Sequence, residues 1–193
     1  MLSLVSGRQG HFRLESGHHG DLWFQLETLC LNAREIRLFA ARLAEQLKKH
    51  DVEVVCGPLV EGAFVALLVV LELGCEFVYA ERFADETREG LFPFEYRLPQ
   101  ALRPAIKNKR VAIVNDVING GSAVRGAFFD LQTHGAQVVA ISALLALGDA
   151  IVEFAAKQGV ALELLEQMPN NLWTPAECPL CAEGVRLEIV GTS

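Results

Sequence analysis

A run of apolar residues that ends in polar side chains and a glycine-rich turn constrains the fold of this chain more than any other feature. Residues 111–114 are all apolar and predict a short buried strand, which is followed directly by Asn115 and Asp116. A turn at residues 119–122 then leads into a run, 123–131, whose apolar spacing predicts a helix. In a parallel α/β sheet, ligands bind at the carboxyl ends of the strands. The polar pair and the turn are therefore expected to lie at a binding site.

The turn has the chemistry of a phosphate site. A helix that begins after glycines offers unpaired backbone N–H groups and the positive end of its dipole to an anion. An acidic residue just upstream, Asp116, can reach ribose hydroxyls or a metal ion. Two adjacent glycines also serve simply to relieve a tight turn, so this alternative stays open. The residues expected at the phosphate are Asn119, Gly120, Gly121, Ser122 and Ala123.

Strand-like and helix-like segments alternate along the rest of the chain. Such alternation predicts an α/β protein with a parallel sheet flanked by helices. With 193 residues, half of them apolar, the chain is expected to form a single domain over residues 1–193. Asn32 and Glu35 have the spacing of a capping box at the start of the first helix. The predicted strands are 53–56, 76–79, 110–114, 137–146 and 160–165, and the predicted helices are 33–49, 62–73, 122–134 and 150–158.

Charge and hydropathy exclude several kinds of partner. The 17 basic and 24 acidic residues give a net charge of −7, which disfavours nucleic-acid binding because that needs a basic face. No apolar stretch reaches the length that spans a membrane, and the first residues lack the apolar core of a signal peptide. A cytoplasmic protein with no nucleic-acid or membrane partner is expected.

Cys178 and Cys181 form a single Cys-x-x-Cys pair among five cysteines. The pair supplies half of a zinc site, but the chain has no second pair. His134 or His50 would complete a site only if the fold brought one of them close. A thiol pair that closes a turn near the carboxyl terminus is favoured, and no protein zinc site is expected.

Residues 82–108 form a long irregular stretch between predicted strands. Loops of this length in compact domains are often functional lids, and a solvated β-hairpin is the structural alternative. The two alternatives are compatible with each other.

Four segments resemble motifs of the type I phosphoribosyltransferases, in the order in which that family has them. Residues 115–122 resemble the family's signature for phosphoribosyl diphosphate (PRPP). Residues 10–19, GHFRLESGHH, are similar to the opening of orotate phosphoribosyltransferases, and residues 54–63, VVCGPLVEGA, to their loop at pyrophosphate. Residues 175–184, PAECPLCAEG, resemble a tail found in one branch of that family.

The resemblance implies a fold and a reaction. The fold would be the type I phosphoribosyltransferase fold, with a small N-terminal hood over residues 1–31 on the base side and a hairpin-like flap over 82–108. The reaction would be transfer of a phosphoribosyl group from PRPP to a pyrimidine base, with orotate giving orotidine 5′-monophosphate and pyrophosphate. The family's flaps act across a subunit interface, which implies a homodimer, and the apolar residues within 22–31 agree with this.

The resemblance also assigns roles to residues. Asp116 and Asn115 would be catalytic, and Mg²⁺ would be held by Asp116 together with the diphosphate. Pyrophosphate and the flap would involve Gly57, Pro58, Gly62, Arg82 and Arg88, and the base would be bound by Phe12, Ser16, His18 and His19.

Several positions depart from the family's pattern. Asn115 stands where an acidic residue is usual, His19 where a lysine is common, and Glu61 adds a negative charge to the pyrophosphate loop. Gly148 and Asp149 occupy the region expected to supply an arginine for the orotate carboxylate. Two alternatives therefore stay open beside the orotate enzyme: a transferase that uses another base, and a module that senses PRPP or a nucleotide without turnover.

Overall fold

The apolar runs of the sequence form the strands of a central sheet in the computed structural model, which describes residues 6–84 and 90–190. The strands are β1 (Ser6–Arg13), β2 (His19–Gln25), β3 (Val54–Pro58), β4 (Glu76–Ala84), β5 (Phe94–Arg97), β6 (Arg110–Ile118), β7 (Gln137–Leu147), β8 (Ala161–Met168), β9 (Leu172–Trp173) and β10 (Glu188–Ile189). The helices are α1 (Ala33–Leu47), α2 (Glu61–Leu73), α3 (Arg103–Ile106), α4 (Ser122–Thr133), α5 (Ala150–Gln158) and α6 (Pro179–Ala182).

The central sheet has six strands in the order β5-β4-β3-β6-β7-β8. Neighbours from β4 to β8 run parallel, and β5 is added antiparallel at one edge. The predicted α/β fold with a mostly parallel sheet is therefore confirmed. β6, which carries Asn115 and Asp116, lies between β3 and β7, so its carboxyl end opens in the middle of the sheet.

Helices cover both faces of this sheet. On one face α1 and α2 pack through a cluster that includes Ile36, Leu43 and Val65. On the other face α4 and α5 pack through Phe128 and Phe154, whose rings meet edge to face at 5.3 Å between centroids. None of the helices in the described ranges combines the length and apolar character needed to cross a bilayer.

A second sheet of four strands covers the carboxyl edge of the first, in the order β10-β1-β2-β9. We call it the hood sheet. β1 and β2 form an antiparallel hairpin, β9 adds antiparallel to β2, and β10 adds parallel to β1. The predicted hood over residues 1–31 was incomplete, because two of its four strands come from the other end of the chain.

The boundaries of the elements differ from the predicted ones mainly at strand ends. β4 and β6 extend beyond the predicted 76–79 and 110–114, because β4 continues into antiparallel pairing with β5 and β6 continues in parallel pairing with β7. The predicted helix 33–49 ends as an α-helix at Leu47 and continues as a short 3-10 turn. At its start the Asn32 side chain donates to the Glu35 carboxylate at 2.5 Å and makes no bond to the backbone, so the expected capping box is not formed and a bond between the two side chains takes its place.

The stretch predicted as a lid or a hairpin contains a hairpin in its described part. β4 and β5 pair antiparallel through Arg82 and Tyr96 among others, and the tip at 85–89 lies outside the described residues. The chain then returns to β6 through Leu98, whose amide donates to Asp130 of α4 at 2.8 Å. The base of the flap is thus fixed to the sheet and to α4.

Candidate active site at the carboxyl edge of the sheet

A cavity of about 200 Å³ lies between the hood sheet and the carboxyl ends of β3, β6 and β7. Parallel strands all end at this edge, so polar residues that are distant in sequence meet here. Apolar walls come from the hood side, with Trp23 and Phe24, and from Leu147 of β7. The polar and acidic side chains that line the cavity are Glu15, Ser16, Glu61, Tyr96, Asn115, Asp116, Asn119 and Ser122.

Asp116 is a buried carboxyl group at the floor of this cavity, with 5% of its surface exposed. Burial raises its pKa to about 7, and the negative charge of Glu61 adds to the rise. The backbone N–H groups of Val117 and of Asp116 itself oppose the rise by hydrogen bonding to the carboxylate. A carboxyl group that titrates near neutrality can bind a cation at the cost of releasing a proton.

The contacts of Asn115, the neighbour of Asp116, are mainly structural. Its amide donates to the backbone oxygen of Val117 at 3.0 Å. Its Oδ1 faces the first turn of α2, where a Cβ built on Gly62 would overlap it. The glycine at position 62 therefore lets α2 approach the end of β6. Asn115 and Gly62 both line the cavity, as the sequence predicted for site residues.

The turn between β6 and α4 has the geometry of an anion site. Gly121 adopts φ 80°, a left-handed conformation that favours glycine, and directly precedes α4. The first helical hydrogen bond runs from the Arg125 amide to the Gly121 oxygen at 2.9 Å, so the preceding amides belong to the unsatisfied start of the helix. The hydroxyl of Ser122 is buried there and has no partner among the described residues. The predicted residues 119–123 all line the cavity.

Arg125 lies behind this turn and was not predicted from the sequence. A Cβ built on Gly121 would lie 3.3 Å from its Nε, which is buried and unpartnered among the described residues. Its Nη2 donates to the Ala150 oxygen at 3.0 Å, and its guanidinium lies over the ring of Phe154 at 4.6 Å. The only signal in the sequence was a cation in the first turn of the helix after the glycines.

The electrostatics of the cavity are acidic. Glu15, Glu61 and Asp116 line it, and none of its described lining residues is a lysine or an arginine. Arg82, predicted as a flap cation, lies on β4 and forms an ion pair with Glu15 at 3.1 Å. Arg88, the other predicted cation, lies outside the described residues.

Glu15 and Tyr96 join the hood sheet to the flap and were not predicted as site residues. The Tyr96 hydroxyl donates to Glu15 at 2.7 Å, and burial together with the Glu15 charge raises the pKa of Tyr96. Glu15 thus accepts from Tyr96 and from Arg82 at once. Glu15 is 67 residues from Arg82 and 81 residues from Tyr96 in the sequence, so no local motif reveals either contact.

Of the residues predicted to bind pyrophosphate, some line the cavity and one packs against a helix. Pro58 and Gly62 line the cavity, whereas Gly57 is buried against α2, where its Cβ would lie 2.5 Å from the Cα of Ala63. Gly57 is therefore required by helix packing.

Of the residues predicted to bind the base, two lie near the cavity and two lie away from it. Ser16 lines the cavity and is bonded to His18, Oγ to Nδ1, at 3.1 Å. Burial and the positive charge of Arg125 lower the pKa of His18. Phe12 is buried beneath the guanidinium of Arg8, and His19 contacts another histidine and a cysteine of the hood. The structure thus brings Ser16 and His18 close to Gly120 in the turn before α4, and places Phe12 and His19 away from the cavity lining.

Comparison with known proteins agrees with this geometry. Residues 23–173 match the model of the phosphoribosyl transferase domain family. The chain is 30% identical over 186 residues to orotate phosphoribosyltransferase of Thermotoga maritima. The alignment covers 95% of this chain and 91% of the relative. The chain is 28% identical over 179 residues to orotate phosphoribosyltransferase of Caldanaerobacter subterraneus, covering 93% and 87% of the two chains.

A solved structure extends the likeness to the fold. Adenine phosphoribosyl transferase from Trypanosoma brucei, in complex with AMP, pyrophosphate and ribose-5-phosphate, superposes with a TM-score of 0.67 at 14% identity. The alignment covers 86% of this chain and 76% of that one. From the site, the family match and the sequence relatives together, we conclude that the chain belongs to the phosphoribosyl transferase domain family of glycosyltransferase-type enzymes.

Proposed function

We propose that the protein transfers the 5-phosphoribosyl group of PRPP to orotate, giving orotidine 5′-monophosphate and pyrophosphate. The observation that carries the proposal is that one cavity holds both a buried carboxyl group, Asp116, and the start of α4 with its unpartnered Ser122 hydroxyl. The two sequence relatives named as orotate phosphoribosyltransferases support orotate as the base. The fold alone does not select the base, since the adenine enzyme shares it.

The turn before α4 would bind the 5′-phosphate. The amides at the helix start and the Ser122 hydroxyl would donate to phosphate oxygens, and Arg125 behind the turn would add positive potential. The apolar side chains of β6 and α4 beneath the turn hold it in place before any ligand arrives.

Replacing Ser122 by alanine should weaken PRPP binding and leave the fold intact. A hydrogen bond to a charged group is worth about 1.5–3 kcal/mol, so the dissociation constant should rise roughly 10- to 100-fold. The free energy of unfolding should stay the same or rise slightly, because the hydroxyl that is removed is buried and unpartnered. Calorimetric titration with PRPP and urea unfolding measure the two effects.

Ser142 on β7 provides the matched control. Its hydroxyl is also buried and unpartnered among the described residues, but it does not line the cavity. Ser142→Ala should change stability in the same way and leave PRPP affinity unchanged. Equal PRPP affinity in the two variants would contradict the phosphate assignment.

The acidic cavity fits a divalent cation. Carboxylate oxygens are the ligands that Mg²⁺ prefers, and Asp116 and Glu61 supply them where an anionic diphosphate must enter. Asp116 would hold the ion together with diphosphate oxygens. When bound, Mg²⁺ would neutralise negative charge on the departing pyrophosphate.

The reaction requires the protein to stabilise a ribose that becomes cationic as pyrophosphate leaves. In its ionised form Asp116 would accept hydrogen bonds from ribose hydroxyls and would place a negative charge beside the cationic ribose. The hood sheet and the flap, joined by Tyr96 and Glu15, would exclude water from the cavity. Ser16 and His18 would face the sugar and the base from the hood.

A direct assay tests the proposal. Purified protein with PRPP and Mg²⁺ should consume orotate with release of pyrophosphate, and should consume adenine or uracil at least about 100-fold more slowly. Turnover with another base and not with orotate would replace the proposed substrate.

The second candidate function is a PRPP- or nucleotide-binding module without turnover. It is favoured by the amide of Asn115, which is held by the Val117 oxygen and brings no charge to the ribose. PRPP would then raise the melting temperature with Mg²⁺ present, and no pyrophosphate would appear with any base.

We also propose a homodimer, formed through α1 and α2. Phe64, Leu67 and Leu71 recur at helical spacing on the outer side of α2 and are each at least 45% exposed, and Leu38 of α1 is 70% exposed. Sedimentation should show a dimer at micromolar concentration, and the pair Leu67→Glu and Leu71→Glu should give a folded monomer. Val152→Glu, on α5 at the opposite face of the sheet, should leave the dimer intact.

A further inference from the structure

Two histidines and two cysteines meet inside the hood sheet, outside the cavity. They are His11 of β1, His19 of β2, and Cys178 and Cys181 at the start and within α6. One potential ligand atom from each residue lies within 4.8 Å of every other. Three of the four residues are buried, and Cys181 is exposed.

Four of the six distances between these atoms lie between 3.1 and 3.7 Å, close to the edges of a tetrahedral zinc site. His11 Nε2 lies 3.1 Å from His19 Nδ1, 3.3 Å from Cys178 Sγ and 3.7 Å from Cys181 Sγ. Cys181 Sγ lies 3.2 Å from His19 Nδ1. With Zn–N bonds of about 2.0–2.1 Å and Zn–S bonds of about 2.3 Å, a tetrahedral site has ligand–ligand edges of roughly 3.3–3.8 Å. The four atoms are therefore close enough together for one zinc ion to bind all of them after small side-chain shifts.

A second contact orients the first histidine. Nδ1 of His11 lies 2.8 Å from the backbone oxygen of Val185. A carbonyl oxygen only accepts, so Nδ1 carries the proton and Nε2 presents its lone pair to the cluster. Metal-bound histidines are usually oriented in this way by a hydrogen bond from the other ring nitrogen.

We propose that His11, His19, Cys178 and Cys181 form a structural zinc site. Two cysteines and two histidines that leave no open position form a closed set, which is typical of structural zinc. Softer thiolate and imidazole ligands also select against Mg²⁺ and Ca²⁺, which take oxygen ligands. The site is separate from the cavity and does not depend on the proposed function.

The position of the site explains what the metal would do. β9 and β10, which flank α6, are each only two residues long, too short to hold residues 174–187 against the hairpin of β1 and β2. Zinc would join this C-terminal segment to both strands of the hairpin. It would thereby fix the hood sheet, whose loop with Glu15 and Ser16 lines the cavity.

Metal analysis of the full chain tests the proposal. Protein purified without chelator should contain about one zinc per chain, and Co²⁺ should replace it with the visible bands of a tetrahedral ion and a thiolate charge-transfer band. The double variant Cys178→Ser with Cys181→Ser should retain less than about a tenth of the zinc. Removal of zinc from the parent should lower the melting temperature and speed proteolysis after residue 173.

Cys75 supplies the matched control, because it is a free, partly buried cysteine between α2 and β4. Cys75→Ser should keep its zinc and its melting temperature. The cobalt spectrum of the parent tests the ligands even if the double variant fails to fold. Absence of zinc and of a cobalt–thiolate band in the parent, a Cys178–Cys181 disulfide in protein purified without oxidant, or equal zinc in the double variant would overturn the proposal.

Discussion

Asp116→Asn should make the protein more stable at pH 8 and almost inactive. Because burial raises the pKa of Asp116 to about 7, its folded form keeps the proton at pH values where the unfolded carboxyl has lost it. This group therefore stabilises the fold fully below about pH 4, and its contribution is lost as the pH rises to about 7. Asparagine carries no charge at any pH, so the variant avoids that loss. We expect a gain of about 2–4 kcal/mol in the free energy of unfolding at pH 8.

The activity of the same variant should fall at least about 100-fold with PRPP and Mg²⁺, because the carboxylate that would face the cation and the ribose is gone. Urea unfolding at pH 8 and at pH 4 gives the stability difference, which should nearly vanish at the lower pH. If the variant were less stable than the parent at pH 8, the ionised Asp116 carboxylate would not destabilise the folded protein, and this prediction would be wrong.

Gly57→Ala should destabilise the protein by about 2–4 kcal/mol through a backbone clash. The added Cβ would lie 2.5 Å from the Cα of Ala63 and 2.7 Å from the Cβ of Ala66, so α2 would have to move away from β3. Since α2 carries Gly62 and Glu61 into the cavity, PRPP affinity should fall together with stability. Urea unfolding and PRPP titration measure both effects.

Gly74→Ala separates this clash from the general cost of replacing glycine. Gly74 ends α2 at φ 70°, with no atom within 4 Å of a Cβ built on it. The alanine variant should lose only about 1 kcal/mol, from backbone conformation alone, and keep its PRPP affinity. Equal losses in the two variants would contradict the packing role of Gly57.

The central sheet was predictable because its strands are short apolar runs bounded by helices with clear periodicity. Residues 111–114 lie wholly within β6 and are buried in the sheet interior. The turn at 119–122 was predictable for a related reason, since glycines before a helix restrict the backbone locally. The prediction failed where a segment depends on distant partners. β9 and β10 are too short to give a pattern, and they exist because the hairpin of β1 and β2 offers them two edges.

The side chains of the site were harder to predict than the backbone that carries it. His19 occupies a motif position expected to bind the base, but its ring is directed to Cys181 by pairing between the chain's two ends. Arg82 has the charge expected of a flap cation, but Glu15, in the loop between β1 and β2, neutralises it. A motif fixes which residues are near in sequence, whereas contacts between sheets decide where each side chain points.

The hood sheet also affects the order in which the parts of a newly synthesised chain can fold. Phe12 and Arg13 pair with Glu188 and Ile189, so nearly the whole chain must be synthesised before these strands can meet. The helices and strands of the central sheet can form earlier, while the ribosome still holds the last residues. The hood sheet is therefore completed only after residues 188–189 have left the ribosome, whereas the central sheet, whose last strand β8 ends at Met168, does not wait for them.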